Sequence, residues 1–263
     1  MDFTKLIDSL GIKEYRDIQG ITISCIFVLI YTAEHFSPQR KDIIDYKHEL
    51  FNFSIGVINQ LLVFVVGLGF YYVLILSYDY QIGLLHLINI PIVVKYIIGF
   101  ILVDCWMYWW HRFNHKIHFL WHFHQFHHKD TKLNSTSALR FHIGELLLSF
   151  IPRAILFGLL GTDPLLIIIY STVLFFVIVL HHSNLKISEK ADFALRKLIV
   201  SPRMHRIHHS VIRSETNSNY SSVFPYWDMI FRTYNKKPVG PIQFGIESNM
   251  EQNDIEIINK YGN

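Results

Sequence analysis

Residues 104–128 read DCWMYWWHRFNHKIHFLWHFHQFHH. An apolar, tryptophan-rich run ends here and a histidine-rich run begins, so this stretch decides how the chain is built. The apolar part closes a segment at about 87–110. That segment is long enough to cross roughly 30 Å of hydrocarbon as a helix. The polar part carries His111 and His115 in an HxxxH pattern, then His124, His127 and His128 in an HxxHH pattern. Residues three and four apart share a helix face. HxxxH therefore sets two imidazoles side by side, and HxxHH straddles a face. Were 111–128 one straight helix at about 100° per residue, His111, His115, His118 and His122 would form one stripe. His124, His127 and His128 would point broadly the other way. Both sets serve one site only if the helix breaks between 116 and 123 and the HxxHH segment folds back. Such a break leaves His118 and His122 without a ligand role.

Two further groups lie downstream: His181-His182-Ser183-Asn184, and His205-Arg206-Ile207-His208-His209, a second HxxHH. Thirteen of the sixteen histidines fall between His111 and His209. Neutral imidazole suits iron, zinc, copper and nickel. Eight or nine imidazoles exceed the need of one ion, which for zinc is about four ligands; two ions are the natural count. His35, His48 and His86 stand apart and are read as core or surface residues. Asp104 and Glu145 are the candidate catalytic carboxylates. Asp104 lies seven residues before His111, two turns deeper on the same face. An ionisable group inside a span is a functional candidate; it is expected to orient His111 or His115, or to be satisfied by a neighbouring span. Glu145 begins the next apolar segment and is expected to hold a histidine ring or to favour the helix start. His142 and His181 are possible further ligands or supports behind the ligands, and Asn134 and Asn184 share that ambiguity. Trp106, Trp109 and Trp110 suit an interfacial belt.

Working outward, apolar residues come in five blocks: about 20–36, 52–77, 87–110, 144–160 and 165–181. The fourth is interrupted by Pro152 and Arg153, and the last two form a hairpin around Gly161-Thr162-Asp163-Pro164. Only 17% of the 263 residues are charged, against about 25% in soluble domains, and mean hydropathy is +0.27. These features predict an all-α polytopic membrane protein, with about four to five membrane helices or re-entrant segments and a histidine-rich helical cap. The polar stretches 37–51, 111–143 and 182–263 fall on one side. They carry Arg40, Lys41, Lys47, Lys116, Lys129, Lys132 and Arg140, while the 78–86 link has no Lys or Arg. The positive-inside rule puts that face in the cytoplasm. Residues 1–110 read as N-terminal membrane helices, 111–234 as a catalytic region containing the 144–181 hairpin, and 235–263 as a polar tail. The stretch 187–200 alternates at helical spacing and is expected on the membrane surface or on the cap. A net charge of +3 argues against nucleic acid. Cys25 and Cys105 lie in apolar stretches and predict no disulfide framework. No small-residue cleavage site follows the N-terminal charges, so no removable signal peptide is expected.

These motifs resemble the fatty acid hydroxylase/sterol desaturase superfamily. The resemblance is carried by DCWMYWWHRFNH (104–115), WHFHQFHH (121–128), NSTSALRFHIGE (134–145), LHHSN (180–184), SPRMHRIHHS (201–210) and NYSSVFPYWDMIFRTY (219–234). It implies two iron ions, O₂ as co-substrate, and hydroxylation or desaturation of a sterol, fatty acyl or ether lipid. Carried over by position, the ligands are His111, His115, His124, His127, His128, His182, His205, His208 and His209. His182 is preferred to His181 because it directly precedes Ser183-Asn184. His122 departs from the basic or other residue of many relatives, and Phe231-Arg232-Thr233 stands where Phe-Gly-Thr is usual. No electron-carrier segment is evident, so a separate cytochrome b5-like or ferredoxin-like protein is expected to supply electrons. The resemblance places the enzyme in an inner membrane if bacterial, or the endoplasmic reticulum if eukaryotic. The competing class is a membrane metal transporter or metal-binding protein. Transport sites usually sit near the bilayer midplane, whereas these histidines lie beyond the span ends. A haem protein needs only one or two axial ligands and leaves the HxxHH repeats unexplained.

Overall fold

The computed structural model describes residues 12–246. The described residues form helices joined by turns and loops, and five helices are long and apolar enough to cross a membrane. These are α1 (Ile12–Phe36), α2 (Tyr46–Asp79), α4 (Ile92–Lys116), α6 (Ile143–Leu160) and α7 (Pro164–His182); α3 (Leu84–Leu87) is a single turn between α2 and α4. The rest forms a cap of short helices: α5 (His118–His128), a 3₁₀ turn (Ser135–Leu139), α8 (Glu189–Leu195), α9 (Pro202–His208), α10 (Arg213–Thr216) and α11 (Tyr226–Ile230). This is the all-α membrane architecture expected from the apolar blocks.

Local chemistry sets the ends. Asp45 accepts from Lys47 N and His48 N and caps α2, and Asp163 caps α7, with Pro164 at its first position. α6 closes on Gly161 at φ 64°, a left-handed residue that suits glycine. Pro152 does not break α6, contrary to the interruption read from the sequence. A span tolerates proline where neighbouring groups satisfy the freed carbonyl. Far from the cap, the 79–91 and 160–164 links meet closely. A Cβ on Gly83, whose φ is 116°, would lie 2.2 Å from Gly161 N. Tyr96 OH donates to Asp163 Oδ2 there at 2.7 Å.

One core cluster, including Leu74, Val103, Phe157, Tyr170, Val177, Met204 and Val223, runs from the helical bundle into the cap. Apolar side chains such as Leu61, Val65, Ile151 and Leu159 remain 64–65% exposed, which fits a lipid-facing surface. Buried carboxylates fasten the cap. Glu34 of α1 accepts from Ser135 N, Ser135 Oγ and Asn184 N. Burial alone would raise the Asp130 carboxyl, but His48, Ser137 and Lys132 N outweigh it and hold it at about 2. Asn134 caps the 3₁₀ turn and Asn184 exchanges hydrogen bonds with the Arg40 backbone, so both asparagines act in the scaffold. The stretch 187–200 yields the seven-residue α8, whose buried Asp192 bonds Arg196 and Arg203 N. Residues 247–263 of the expected tail lie outside the described residues.

Candidate metal centre

α4 delivers His111 and His115 in its last turns. Ile117, at φ −93° and ψ 113°, then interrupts the helix, and α5 restarts at His118. The interruption lies inside the expected 116–123 window. It turns His118 and His122 to the exposed face and buries His124, His127 and His128. α7 ends on His181 and His182, and α9 with the residue after it supplies His205, His208 and His209.

These side chains fall into two groups, each able to hold a metal ion. One comprises His111, His115, His124, His128 and His208; the other comprises His127, His182, His205 and His209. Within each group the ring nitrogens lie within 4.8 Å of one another. The two HxxHH copies are used reciprocally. The i,i+4 pair His124 and His128 joins the first group while His127 joins the second. His205 and His209 join the second while His208 joins the first. The groups adjoin, with the rings of His128 and His209 stacked at 4.4 Å. All nine residues named by position are thus brought together; His118, His122, His142 and His181 belong to neither group.

The donor chemistry suits cations. The Nε2 atoms of His182 and His127, His205 and His182, and His209 and His205 approach to 3.0 Å. The Nε2 atoms of His115, His124, His128 and His208 are buried with no hydrogen-bond partner. Such nitrogens need an electrophile to compensate their desolvation. Burial, with neighbouring imidazoles adding to it, holds His127, His128, His205 and His209 well below the usual histidine range. Burial likewise lowers His208 to about 3, against its bond to Ser218 O. Neutral imidazole is the metal-binding form.

The opposite ring nitrogens are fastened. Nδ1 donates to Tyr220 O from His111 (2.8 Å), to Arg140 O from His127 (3.2 Å), to Ile178 O from His182 (2.8 Å) and to Ser218 O from His208 (2.7 Å). These bonds select the tautomer that leaves Nε2 facing inward. Glu145 Oε1 accepts from His124 Nδ1 at 2.8 Å and from Asn114 at 3.3 Å, the ring-holding arrangement anticipated for it. Asp104 takes the second role anticipated for it, satisfied by the neighbouring span α7 and by the cap. It accepts from Tyr170 OH, Trp227 Nε1, Val223 N and Phe224 N, and from no histidine. Seven residues are about 10 Å of helix rise, too far for its carboxylate to reach His111. His142 caps α6 by accepting from Gly144 N. His181 stacks on His205 at 3.8 Å.

Sequence reasoning missed the carbonyl acceptors, because every residue has one and only the fold selects which is used. It also missed Tyr220, whose ring packs 5.2 Å from His115, and Phe141, stacked 4.7 Å from His127. Asp228 holds the loop of Tyr220 by accepting from Tyr220 N and Ser221 N. Beside the histidines lies a cavity of about 160 Å³ between α4, α6 and α7. His111, His124, His127, His182 and His205 line it with apolar side chains and Arg153.

Comparison with known proteins bears on this geometry. No solved structure matches the chain. Ornithine lipid hydroxylase OlsE of Rhizobium tropici is 28% identical over 148 residues, 56% of this chain and 44% of that protein. Alkylglycerol monooxygenase of Danio rerio is 29% identical over 137 residues, 52% of this chain and 30% of that protein. Very-long-chain aldehyde decarbonylase GL1-5 of Oryza sativa subsp. indica is 26% identical over 165 residues, 59% of this chain and 26% of that protein. The matches thus cover less than half the length of these curated relatives. The family model for fatty acid hydroxylase matches residues 96–233, more than half of the chain and the whole histidine constellation. This chain belongs to the fatty acid hydroxylase family.

Proposed function

We propose that this protein is a membrane di-iron oxidoreductase that hydroxylates or desaturates a lipid with O₂. Its electrons come from a separate cytochrome b5-like or ferredoxin-like protein. The observation that carries the reading is the convergence of nine imidazoles, in two adjoining groups, beside an apolar cavity among membrane-spanning helices. The relatives named for lipid hydroxylation and monooxygenation support a lipid as substrate.

The five-histidine group would hold one ion and the four-histidine group the other. Bound iron supplies the activation of O₂ that attack on an unactivated C–H bond requires. The protein's own part is placement. The carbonyls of Tyr220, Arg140, Ile178 and Ser218, with Glu145, fix the rings so that the donor set is ordered before metal enters. Met107, Trp110, Phe141, Leu146, Leu174 and Ile178 line the cavity. They seat a chain and exclude water, so the substrate passes from bilayer to site without solvation. Basic residues on the cap side, and their absence from the 79–91 and 160–164 links, support a cytoplasmic centre. The histidines cluster at the cap ends of α4 and α7, away from mid-span, which favours an enzyme over a transporter.

The decisive experiment joins two measurements. Purified protein should contain iron, and lipid mass spectrometry of expressing cells should show a gain of one oxygen or a loss of two hydrogens. His127→Ala should abolish the change. Iron-free protein, or a lipid change that survives His127→Ala, would overturn the reading.

A further inference from the structure

Arg153 lies mid-span in α6, well inside the apolar part of the bundle. With Glu145 and Ser149 it forms an i, i+4, i+8 stripe, and all three line the cavity beside the histidines. Residues at this spacing share one helix face. Its Nε is buried without a partner, and among the described residues no hydrogen bond or ion pair reaches its guanidinium. The titratable groups whose charge acts on it are Tyr170 and Glu145; neither bonds it, and Glu145 Oε2 is itself buried without a partner. Tyr170 OH donates to Asp104, and Glu145 Oε1 accepts from His124 and Asn114. Asp104 itself is saturated by four donors.

An uncompensated cation at this depth is costly, and intramembrane charges that persist face cavities and partners. A guanidinium offers five donors in a fork that matches an oxyanion two bonds at a time. Met107, Leu146, Leu174 and Ile178 are among the apolar side chains that share the cavity with it, and none of the cavity's polar side chains bonds it. We propose that Arg153 anchors an oxyanion of the lipid, a carboxylate or a phosphate, while the adjoining chain lies against the histidine groups. This rests on the lipid reading above and deepens it. Eight residues of helix separate Arg153 from Glu145, which grips His124, about 12 Å along the axis. The anchor thereby measures the distance from the charged end to the carbon placed at the metal centre. The cavity, about 160 Å³, is smaller than the roughly 300 Å³ at the lower end of ligand pockets. It holds the anchored group and the reacting segment, and the remainder of the lipid stays in the bilayer.

The test is binding to purified, metal-free full chain in detergent. The probes are oleic acid, an oleoyl lysophosphatidic acid and oleyl alcohol. Wild type should prefer one or both anions to the alcohol. A carboxylate preference identifies a fatty acid source, and a phosphate preference a phospholipid. Arg153→Gln should weaken anion binding by about tenfold or more, the weight of a charged hydrogen bond, and leave the alcohol unchanged. Arg153→Lys should retain part of the preference. Without ligand, Arg153→Gln should melt at the same temperature as wild type or higher, because an unpaired buried charge has been removed. Equal binding of anions and alcohol by wild type overturns the proposal. So does equal weakening of all three probes in Arg153→Gln. A lowered melting temperature in both Arg153→Gln and Arg153→Met, with anion preference intact, also overturns it. Neither metal nor O₂ enters the assay. A chain that selects anions but oxidises no lipid sinks the oxidase reading alone.

Discussion

At the residue scale, the nine histidines differ from the other seven in what surrounds each ring. His118 and His122 face outward, whereas the rings of both groups are buried or half-buried with nitrogens aimed at one another. His115→Ala and His127→Ala should each reduce iron content by roughly one ion of two, because they belong to different groups. His118→Ala and His122→Ala should leave it unchanged; elemental analysis of purified protein checks both. Glu145→Ala frees the His124 ring and removes no ligand. Metal affinity should fall by about 10–100-fold, read by competition with a chelator. Arg232 marks a departure from the usual family pattern and has a conformational basis. Its φ is 57°, in the left-handed region that glycine enters without steric cost. Arg232→Gly should be neutral or stabilise by up to about 1 kcal/mol, measured by thermal unfolding in detergent.

At the element scale, the short interruption at Ile117 does more for the site than any long helix. It lets one stretch of chain approach the centre twice, first from α4 and then from α5. The HxxHH spacing then divides each copy between the two groups, since i+4 lies about 40° round the helix from i and i+3 about 60° the other way. This reciprocal use explains why the motif occurs twice. The far-end links are equally constrained. Gly161→Ala would place a Cβ 2.4 Å from Ile82 O in a left-handed residue. It should cost roughly 1–3 kcal/mol and lower the melting temperature without touching the metal groups. Asp104→Ala should be harsher. It strips four donors of their acceptor, at roughly 1–3 kcal/mol for each one left buried. It also loosens α4 from α7 and from the loop that holds His111 through Tyr220 O.

At the scale of the whole molecule, five spanning helices deliver their cap-side ends to one polar assembly, and buried carboxylates on α1 and in the cap fasten it. Nine desolvated imidazoles are a burden on such an assembly when no cation faces them. Chelation of the metal should therefore lower the melting temperature, and restored Fe(II) should raise it again, because ligand bound only by the folded state adds to stability. A temperature unmoved by chelation would mean that the cap is rigid through its carboxylate and asparagine bonds alone.

The five apolar blocks, the cap, the break before HxxHH and a histidine count suited to two metal-holding groups were legible in the sequence. Hydrophobic length and helical spacing are local properties, and each can be read from a few neighbouring residues. Glu145 was narrowed to two roles by its place at a helix start, and the structure realises the ring-holding one. For Asp104 the spacing gave the right helix face and hid the axial distance, so of its two readings the structure realises the one in which a neighbouring span satisfies the carboxylate. Only tertiary structure decided which histidine joins which group, which carbonyls hold the rings, and that Asp104 serves the scaffold. Those outcomes depend on contacts between α4, α5, α7 and α9, brought together by burial, which carries no periodic signature along the chain.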